Sequence, residues 1–339
     1  MDDLFSDAAR QLLSDQCTPH HVRTIEAGGS AQALWSFIED AGFADALMPE
    51  AQDGAGLSLA QVFGVLELCG AFAVPVPLAD TMLARALLAQ AGAARPAGSL
   101  ALAQGQPCEG GGLRCANVPL GVVADAVLVA APSGWQVLPA AVAERSPAGF
   151  CLDAGLQWTA AQLAAAPRID VRLPVGCDLR TLQAALYAAQ LSGALMSVFQ
   201  RTLQYANDRN QFGRPIGKFQ AIQHQLSVMS EHVFAARMAA QLGCSGDGIG
   251  LQRLRVAVAK ARASEAALAV AELSHSIHGA IGFTAEYDLQ LYTRRLHAWR
   301  QATGSESYWH SVAGACLVDQ HAGLTLDLIR QTTDSLEAR

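Results

Sequence analysis

Charged side chains are scarce in this sequence, and basic ones are scarcer than acidic ones. Only 16% of the 339 residues are charged, and 23 Lys and Arg stand against 30 Asp and Glu, a formal net charge of −7. This acidic balance argues against nucleic acid as the main partner, because binding a polyphosphate backbone requires a basic surface. Hydrophobic residues make up 51% of the chain. Such an apolar composition predicts extensive contacts between subunits.

Metal-binding, export and membrane signals are also missing. The eight cysteines include no C-x-x-C pair and no closely spaced set of histidine ligands, a pattern typical of buried free thiols in a reducing compartment. His275 and His278 lie three residues apart, but no further histidine accompanies them, so we predict no metal site. The acidic, amphipathic N-terminus is unlike a signal peptide, and no apolar run approaches the roughly 18 residues of a membrane span. We therefore expect a cytoplasmic protein with no membrane span.

The spacing of apolar residues divides the chain into three regions. Residues 1–97 and 175–339 have helical periodicity, whereas residues 98–174 contain short apolar or alternating runs interrupted by Gly, Pro and Ser. We interpret these regions as an N-terminal helical domain, a C-terminal helical bundle and a small β domain between them, an α+β fold that is mostly α. The predicted strands are Leu100–Ala103, Ala126–Ala130, Gln136–Leu138 and Ile169–Leu173. The predicted helices are Leu4–Leu13, Ala31–Ala41, one that opens at an N-cap Ser58, Leu78–Ala91, Asp178–Asn207, Phe219–Gln241, Ile249–His278, one from Tyr287 or Leu289, Ser307–Leu317 and Leu324–Leu336.

The turn between the first two long C-terminal helices has a composition that a simple connector does not require. Arg209–Gln220 contains two glycines and a proline, which end the helices, together with aromatic, basic and carboxamide side chains. Its R-x-x-F-G … F-Q pattern resembles the signature of the acyl-CoA dehydrogenase family. The resemblance implies that Arg209 binds the diphosphate of FAD across a subunit interface, since a guanidinium suits that group. It also implies that Phe212 packs on the cofactor and that Gln220 forms a hydrogen bond nearby.

A second segment, Ser274–Thr284, resembles the family's Q-x-x-G-G-x-G-F/Y turn. This resemblance implies that Ser276, Gly279 and Ala280 lie against the FAD diphosphate, where glycine permits close approach of the backbone. Ser276 stands where the family usually has Gln, and Ala280 replaces the second glycine. Residues 48–59 resemble a loop of the family's N-terminal domain.

The middle region departs from the family pattern. In the family, this β domain opens with a T-E/S … G-S-D loop whose hydroxyl and amide groups contact the flavin ring. No Ser or Thr occurs here from Gly105 to Gly121, and the whole domain is short. The run Gly110–Gly112 is not followed by the Lys and Ser of a phosphate-binding loop, so we give that alternative little weight.

The family's catalytic base is missing too. Dehydrogenation of an acyl-CoA at its α and β carbons requires a carboxylate of raised pKa near the α-hydrogen. The two positions where the family places this Glu correspond to Gln183 and Thr303, and neither of these side chains accepts the proton. Glu306 is the nearest carboxylate and a candidate replacement. We favour the simpler explanation that the Glu306 carboxylate interacts favourably with the helix dipole at the N-terminus of a helix.

Three hypotheses fit these features. In the one we favour, the chain resembles the short subunit of a heteromeric acyl-CoA dehydrogenase of the steroid side-chain type, and it completes the FAD site of a longer partner that supplies the base. In the second, a homo-oligomer uses a displaced base. In the third, the chain is a helical scaffold that has lost FAD. The first two imply an acyl-CoA substrate, FAD as cofactor and a flavoprotein as electron acceptor.

Overall fold

The computed structural model describes residues 2–320 and 323–334. The chain divides into two compact units. The first comprises the described residues up to Val65 together with Val74–Leu179, and the second comprises Leu66–Ala73 and the described residues from Arg180 onward. The region of predicted strands, residues 98–174, lies within the first unit.

Helices form the N-terminal part of the first unit, as predicted, but two helices of this unit, α2 and α6, have no counterpart in the prediction. The helices are α1 (Asp2–Gln16), α2 (Pro19–Glu26), α3 (Gln32–Asp40), α4 (Phe63–Ala71, shared with the second unit), α5 (Leu78–Gln90) and α6 (Ala160–Ala165). Helix α2 is missing from the prediction because it buries only Val22 and Ile25, which is too short a pattern to indicate a period. Its start follows local rules, since the Thr18 side chain accepts a hydrogen bond from His21 N (3.4 Å) and Pro19 occupies the first turn.

Ser58 begins a capped turn rather than a regular α-helix. The Ser58 Oγ accepts a hydrogen bond from Gln61 N (3.3 Å), and Gln61 Oε1 accepts one from Ser58 N (3.0 Å), which is the reciprocal pattern of a capping box. Helix α4 begins only at Phe63. The predicted N-cap therefore stabilises the turn at residues 58–61, which precedes the helix, and not the first turn of α4.

Two small sheets make up the β region. Their strands are β1 (Leu100–Gln104), β2 (Gln106–Pro107), β3 (Leu113–Val118), β4 (Ala126–Ala131), β5 (Gly134–Pro139), β6 (Glu144–Pro147) and β7 (Ala154–Trp158). One sheet has the order β1-β4-β5, with β1 parallel to β4 and β4 antiparallel to β5. The other has the order β2-β3-β7-β6 and is antiparallel throughout. Their buried side chains share one apolar core, in which Trp158 is fully buried.

The sequence-based strand assignment is incomplete, and in one place it is wrong. Strands β3 and β7 are absent from the prediction because polar residues and glycine interrupt their short apolar runs. The predicted strand Ile169–Leu173 does not form. Its only pairing among the described residues is a single bridge between Ile169 and Trp135, so this segment lies beside the sheet without extending it. An alternating apolar pattern is not enough to form a strand, because a strand also needs a neighbouring strand to which its backbone can form hydrogen bonds.

Helix α5 covers the open edge of strand β1. The Thr81 hydroxyl accepts a hydrogen bond from Leu100 N (2.8 Å), and Asp80 Oδ2 accepts one from Leu102 N (3.2 Å). These side chains satisfy amides that would otherwise be unpaired on an edge strand. Burial disfavours the ionised form of Asp80 and raises the pKa of its carboxyl to about 7. The hydrogen bond from Leu102 N acts in the opposite direction and lowers this pKa.

The second unit is built on three long helices, as the apolar spacing predicts. Its elements are α7 (Leu179–Asp208), β8 (Asn210–Gln211), β9 (Arg214–Pro215), α8 (Gln220–Gly243), α9 (Arg253–His278), α10 (Leu289–Gln301), α11 (Glu306–Ala315) and α12 (Thr325–Thr333). The predicted bounds of the long helices differ from these by a few residues. The predicted helix end at Leu336 lies outside the described residues. The fold class predicted from sequence, α+β and mostly α, is confirmed.

Helix α7 packs closely against the end of α4 through two glycines. A Cβ added at Gly193 would lie 1.8 Å from Glu67 O, and one added at Gly70 would lie 1.7 Å from Gln190 O. Only glycine permits backbones to approach so closely. Within the same unit, the Arg237 guanidinium donates to both carboxylate oxygens of Glu67, at 2.6 Å and 3.1 Å.

Helix α7 is also the one described helix that is long and apolar enough to cross a membrane by length and composition. Its most apolar 18-residue window has a mean hydropathy of 1.3, and 72% of that window is buried inside the protein. Packing within the bundle therefore accounts for the apolar surface of α7, as it does for core helices in general.

Candidate functional site

The turn between α7 and α8 is a small hairpin that projects into solvent. Residues Asn210–Gln211 of β8 pair with Arg214–Pro215 of β9. The two residues that join the strands, Phe212 and Gly213, both have positive φ, at 52° and 80°. Two-residue hairpins favour such a conformation, but a phenylalanine rarely adopts it. The Phe212 side chain is 90% exposed, and it meets the Phe219 ring only edge to face at a centroid distance of 6.1 Å, so burial does not compensate for that strain.

Arg209 stands at the base of this hairpin with its side chain unengaged. Its backbone is fixed, because Arg209 N donates to Tyr205 O (2.9 Å) and Arg209 O accepts from Ile216 N (2.8 Å). Its side chain is exposed and has no hydrogen bond or ion pair among the described residues. By contrast, the nearby Arg214 guanidinium lies over the Phe219 ring, 4.3 Å from the ring centroid. Arg209 is therefore held in place and available to an anion.

The second predicted segment begins at the C-terminal end of α9. Gly279 has φ 63° and ψ −145°, a backbone conformation that is essentially restricted to glycine. Ser276 lies on the last turn of α9, and its Oγ is 3.4 Å from the Nε2 of Gln225 on α8. The Oε1 atom of Gln225 is buried and has no hydrogen-bond partner among the described residues. Ser276, Gly279 and Ala280 are themselves exposed.

An aromatic cluster connects these two segments. The His278 ring stacks on Tyr205 with a centroid separation of 4.3 Å, and Tyr287 lies 5.1 Å from the same His278 ring. Tyr205 lies one helical turn before Arg209 on α7, and its hydroxyl donates to His278 O (3.4 Å). The structure thus brings the base of the hairpin and the end of α9 to one end of the bundle.

The two histidines of α9 engage different aromatic partners and do not converge on a common ligand position. His275 stacks on Phe283 at 4.2 Å, whereas His278 stacks on Tyr205. Burial lowers the pKa of both imidazoles, so they are neutral at neutral pH. His278 Nδ1 donates to Ser274 O (2.8 Å), which assigns the proton to that nitrogen. Among the described residues, no group of three or more His, Cys, Asp or Glu side chains is suited to a metal.

The predicted base positions carry neutral side chains in a tightly held environment. Gln183 is 9% exposed on α7, and Thr303 lies in the turn after α10 with φ 58°. The Thr303 hydroxyl donates to Ala302 O (2.7 Å). The following residue, Gly304, has φ 111°, and a Cβ there would lie 2.7 Å from the ring of Tyr308. The positive φ angles of Thr303 and Gly304 define the backbone of this turn, and neither predicted base position carries a carboxylate.

A buried lysine on α9 holds the same turn. Lys260 is fully buried and donates three hydrogen bonds through Nζ, to Arg300 O (2.9 Å), Gly304 O (3.0 Å) and Ser264 Oγ (3.0 Å). Burial lowers the pKa of Lys260 to about 7; the charge of Glu306 opposes that effect and the charge of Arg300 reinforces it. The two carbonyls belong to the end of α10 and the turn after it, so Lys260 caps this helix from a neighbouring one. Sequence reasoning missed Lys260, although its place in the alanine-rich pattern of α9 marks it as buried.

Glu306 is engaged by Arg300 and is not the raised-pKa carboxyl that proton abstraction needs. Partial burial favours its neutral form, but hydrogen bonds from its own backbone amide and from Arg300, together with the charges of Arg300 and Lys260, lower the pKa of Glu306 below its usual value. Glu306 is also the first residue of α11, where a carboxylate complements the helix dipole. Its surroundings stabilise the ionised form.

The glycine-rich run of the middle region does not form a phosphate-binding loop. Glu109–Gly111 is a single 3₁₀ turn between β2 and β3, and no α-helix starts there to present its N-terminal amides. The phosphate-loop alternative therefore lacks the strand-to-helix geometry on which it depends. The exposed hairpin and the end of α9 are the segments in which the predicted cofactor-binding residues lie exposed.

The chain is similar to known proteins over most of its length. Residues 181–312 match the family model described as acyl-CoA dehydrogenase, C-terminal domain. The chain is 31% identical over 306 residues to the acyl-CoA dehydrogenase IpdE2 of Mycolicibacterium smegmatis, covering 89% of this chain and 94% of that protein. It is similar to the solved structure of the Tcur3481-Tcur3483 steroid ACAD G363A variant, with TM-score 0.79, 25% identity, and coverage of 95% of this chain and 99% of that one. The fold also matches the ChsE4-ChsE5 complex from Mycobacterium tuberculosis, with TM-score 0.81, 23% identity, and coverage of 95% and 98%.

Proposed function

The chain belongs to the acyl-CoA dehydrogenase family, and we propose that it is the subunit of an FAD-dependent acyl-CoA dehydrogenase that completes the FAD site of a longer catalytic partner. The observation that carries this proposal is the hairpin after α7. It exposes the Arg209 guanidinium, which has no hydrogen bond or ion pair among the described residues, and a 90% exposed Phe212 whose backbone conformation a phenylalanine rarely adopts. Phe212 contacts its own chain only through an edge-to-face contact with Phe219, at a centroid distance of 6.1 Å among the described residues, so most of its ring is free for a group that another subunit presents.

FAD in such an enzyme accepts the hydride that leaves the β carbon of the acyl-CoA. The role of this chain is to bind and orient the cofactor. Arg209 supplies a planar cation for the diphosphate, Phe212 packs against the cofactor, and Gln220 forms a hydrogen bond at the start of α8. Ser276, Gly279 and Ala280 line the same end of the bundle, where the shape of Gly279 lets the backbone approach closely. The carboxamide oxygen Oε1 of Gln225 is buried at this place and has no hydrogen-bond partner among the described residues.

The partner supplies what this chain lacks. Gln183 and Thr303 provide no base, and residues 105–121 contain no hydroxyl side chain to clamp the flavin ring. We assign the α-proton abstraction and most of the flavin contacts to a longer acyl-CoA dehydrogenase subunit. The two similar structures support this assignment, because the steroid ACAD bears the two-part name Tcur3481-Tcur3483 and the other is the ChsE4-ChsE5 complex.

We extend the proposal to the organisation of the chain and its surroundings. Residues 1–97 form the N-terminal helical domain of the family, residues 98–174 a shortened middle β domain, and residues 175–339 the C-terminal bundle. The hetero-oligomer acts on an acyl-CoA in the cytoplasm and passes its electrons to a flavoprotein acceptor. The similarity to the Tcur3481-Tcur3483 steroid ACAD supports a bulky acyl group.

The displaced-base alternative has a specific observation against it. A homo-oligomeric enzyme that used Glu306 would need this carboxylate to accept a proton, yet its ion pair with Arg300 stabilises the charged form. The FAD-free scaffold gives no role to the exposed Phe212 or to the Arg209 side chain, which has no hydrogen bond or ion pair among the described residues. The hetero-oligomer accounts for both features.

The test is to purify the chain alone and together with a longer acyl-CoA dehydrogenase subunit, and to measure bound flavin and dye reduction. We expect the chain alone to be colourless and inactive and the complex to be yellow and active. In the complex, Arg209→Ala should lower FAD content about tenfold or more at limiting FAD, because a charged hydrogen bond to the diphosphate is lost. Arg10→Ala, at an exposed arginine of α1, is the matched control. Unchanged flavin content in Arg209→Ala would remove the diphosphate role, and a yellow, dye-reducing chain without a partner would contradict the hetero-oligomer.

A further inference from the structure

Gln225 occupies an unusual position on the bundle. It lies on α8 and Ser276 lies on α9, 51 residues apart in the chain, and Gln225 Nε2 donates to Ser276 Oγ at 3.4 Å. This is the only hydrogen bond that the structure gives either side chain among the described residues. The other half of the carboxamide, Oε1, is buried and accepts none.

Such an arrangement is costly to the fold. A carbonyl oxygen that is removed from water without a donor loses its hydration and gains nothing in return. A methionine of similar size at this position would avoid that cost. The contact that the carboxamide does form is directed at Ser276, an exposed residue of the proposed FAD segment. The side chain is thus better explained by what it does to Ser276 than by packing.

The direction of this hydrogen bond gives the serine a defined role. Because Ser276 Oγ accepts from Gln225, the serine hydroxyl hydrogen remains available for donation. A hydroxyl that accepts one hydrogen bond is also a better donor in the next, since consecutive hydrogen bonds polarise one another. An anion at the exposed end of α9 would accept from this hydroxyl.

The inference rests on the proposed function and refines its site. In the resembling family, position 276 carries a Gln, and a serine side chain is too short to place a carboxamide there. We propose that Gln225 replaces that missing carboxamide from the neighbouring helix, acting as a positioning residue that orients the Ser276 hydroxyl toward the FAD diphosphate. The Gln225 carboxamide on α8 and the Ser276 hydroxyl on α9 together take the place of the single Gln side chain that the family usually has at position 276.

The experiment uses the complex of this chain with the longer subunit, and FAD as the probe. Gln225→Met removes the hydrogen bond and the orphaned oxygen while it keeps the volume. We expect the FAD dissociation constant, measured by titration of the apo complex, to rise about threefold to tenfold, the size of effect expected for one neutral hydrogen bond. We expect the thermal unfolding midpoint to stay the same or to rise. A purely structural role predicts the opposite, a lower midpoint with unchanged FAD affinity.

A second variant tests the replacement itself. Ser276→Gln in the Gln225→Met background returns a carboxamide to position 276 and should recover most of the lost affinity. Gln241→Met, at an exposed glutamine near the other end of α8, is the matched control and should change neither quantity. Unchanged FAD affinity in Gln225→Met, or no recovery in the double variant, overturns the inference. If Arg209→Ala lowers FAD affinity in the same complex, the proposed function stands when this inference fails; if neither variant changes FAD binding, the proposed function fails as well.

Discussion

Substitution of Asp80 tests whether its buried carboxyl, which accepts a hydrogen bond from the edge strand β1, titrates as the structure implies. The Asp80 carboxyl is buried beside Leu102 N, and burial raises its pKa from 3.8 to about 7. A group whose pKa is raised on folding favours the folded state below the unfolded pKa and loses that advantage as the pH rises through the folded value. The free energy of unfolding should therefore fall between about pH 4 and pH 7, by about 4 kcal/mol if the full shift of about three units applies.

Asp80→Asn removes this pH dependence, because an amide stands in for the protonated acid and can still accept from Leu102 N. The assay is urea unfolding followed by circular dichroism at several pH values from 4 to 8.5. We expect the variant to gain stability relative to the parent as the pH rises, with the gain levelling off above about pH 7. Asp7→Asn, at an exposed aspartate of α1, serves as control and should keep the parental slope. If the parent and Asp80→Asn have the same slope between pH 4 and 7, the buried carboxyl does not titrate as the structure implies.

Two further substitutions test the bundle and the displaced-base alternative. Gly193→Ala should destabilise the protein by about 3 kcal/mol or more, because the added Cβ would lie 1.8 Å from Glu67 O. The control Gly314→Ala, where a Cβ meets nothing within 4 Å, should be neutral or slightly stabilising. Thermal unfolding compares the two variants, and equal midpoints would contradict the close packing of α7 against α4. Glu306→Gln weakens the ion pair with Arg300, so we expect a modest loss of stability, about 1 kcal/mol, with the dye-reduction rate of the complex within about twofold of the parent. Loss of that activity in a normally folded Glu306→Gln complex would instead support the displaced base.

Local pattern was enough to predict the helical units. Helices α7, α8 and α9 each exceed twenty residues, and over that length the 3.6-residue period of apolar side chains outweighs any local ambiguity. The family was also readable from sequence, because two short segments retain the residue types of its signatures, and the comparisons confirm that prediction. The strands were harder, since β3 and β7 depend on neighbours far along the chain, while Ile169–Leu173 has a strand-like sequence but forms only one bridge at the edge.

The hairpin after α7 could be predicted as a chemical feature but not as a shape. Its sequence predicts that Arg209 and Phe212 serve a purpose outside the turn, and that assignment remains a prediction. Only the structure shows that Phe212 adopts positive φ in solvent while Tyr205 and His278 hold the base of the hairpin against the end of α9. A turn signal specifies where the chain reverses, whereas the direction of its side chains depends on helices that are distant in sequence.

By itself the sequence determined the long helices, the acidic and apolar character of the chain, its resemblance to the family in two short segments and the absence of a carboxylate at Gln183 and Thr303. Only the tertiary structure decided the charge state of Glu306, the capping of the Thr303 turn by Lys260 and the meeting of Gln225 with Ser276. The physical reason is that residue type and periodicity are local properties of the chain. Hydrogen bonds, burial and the pKa shifts that follow from them depend on which distant side chains come within a few ångströms of one another.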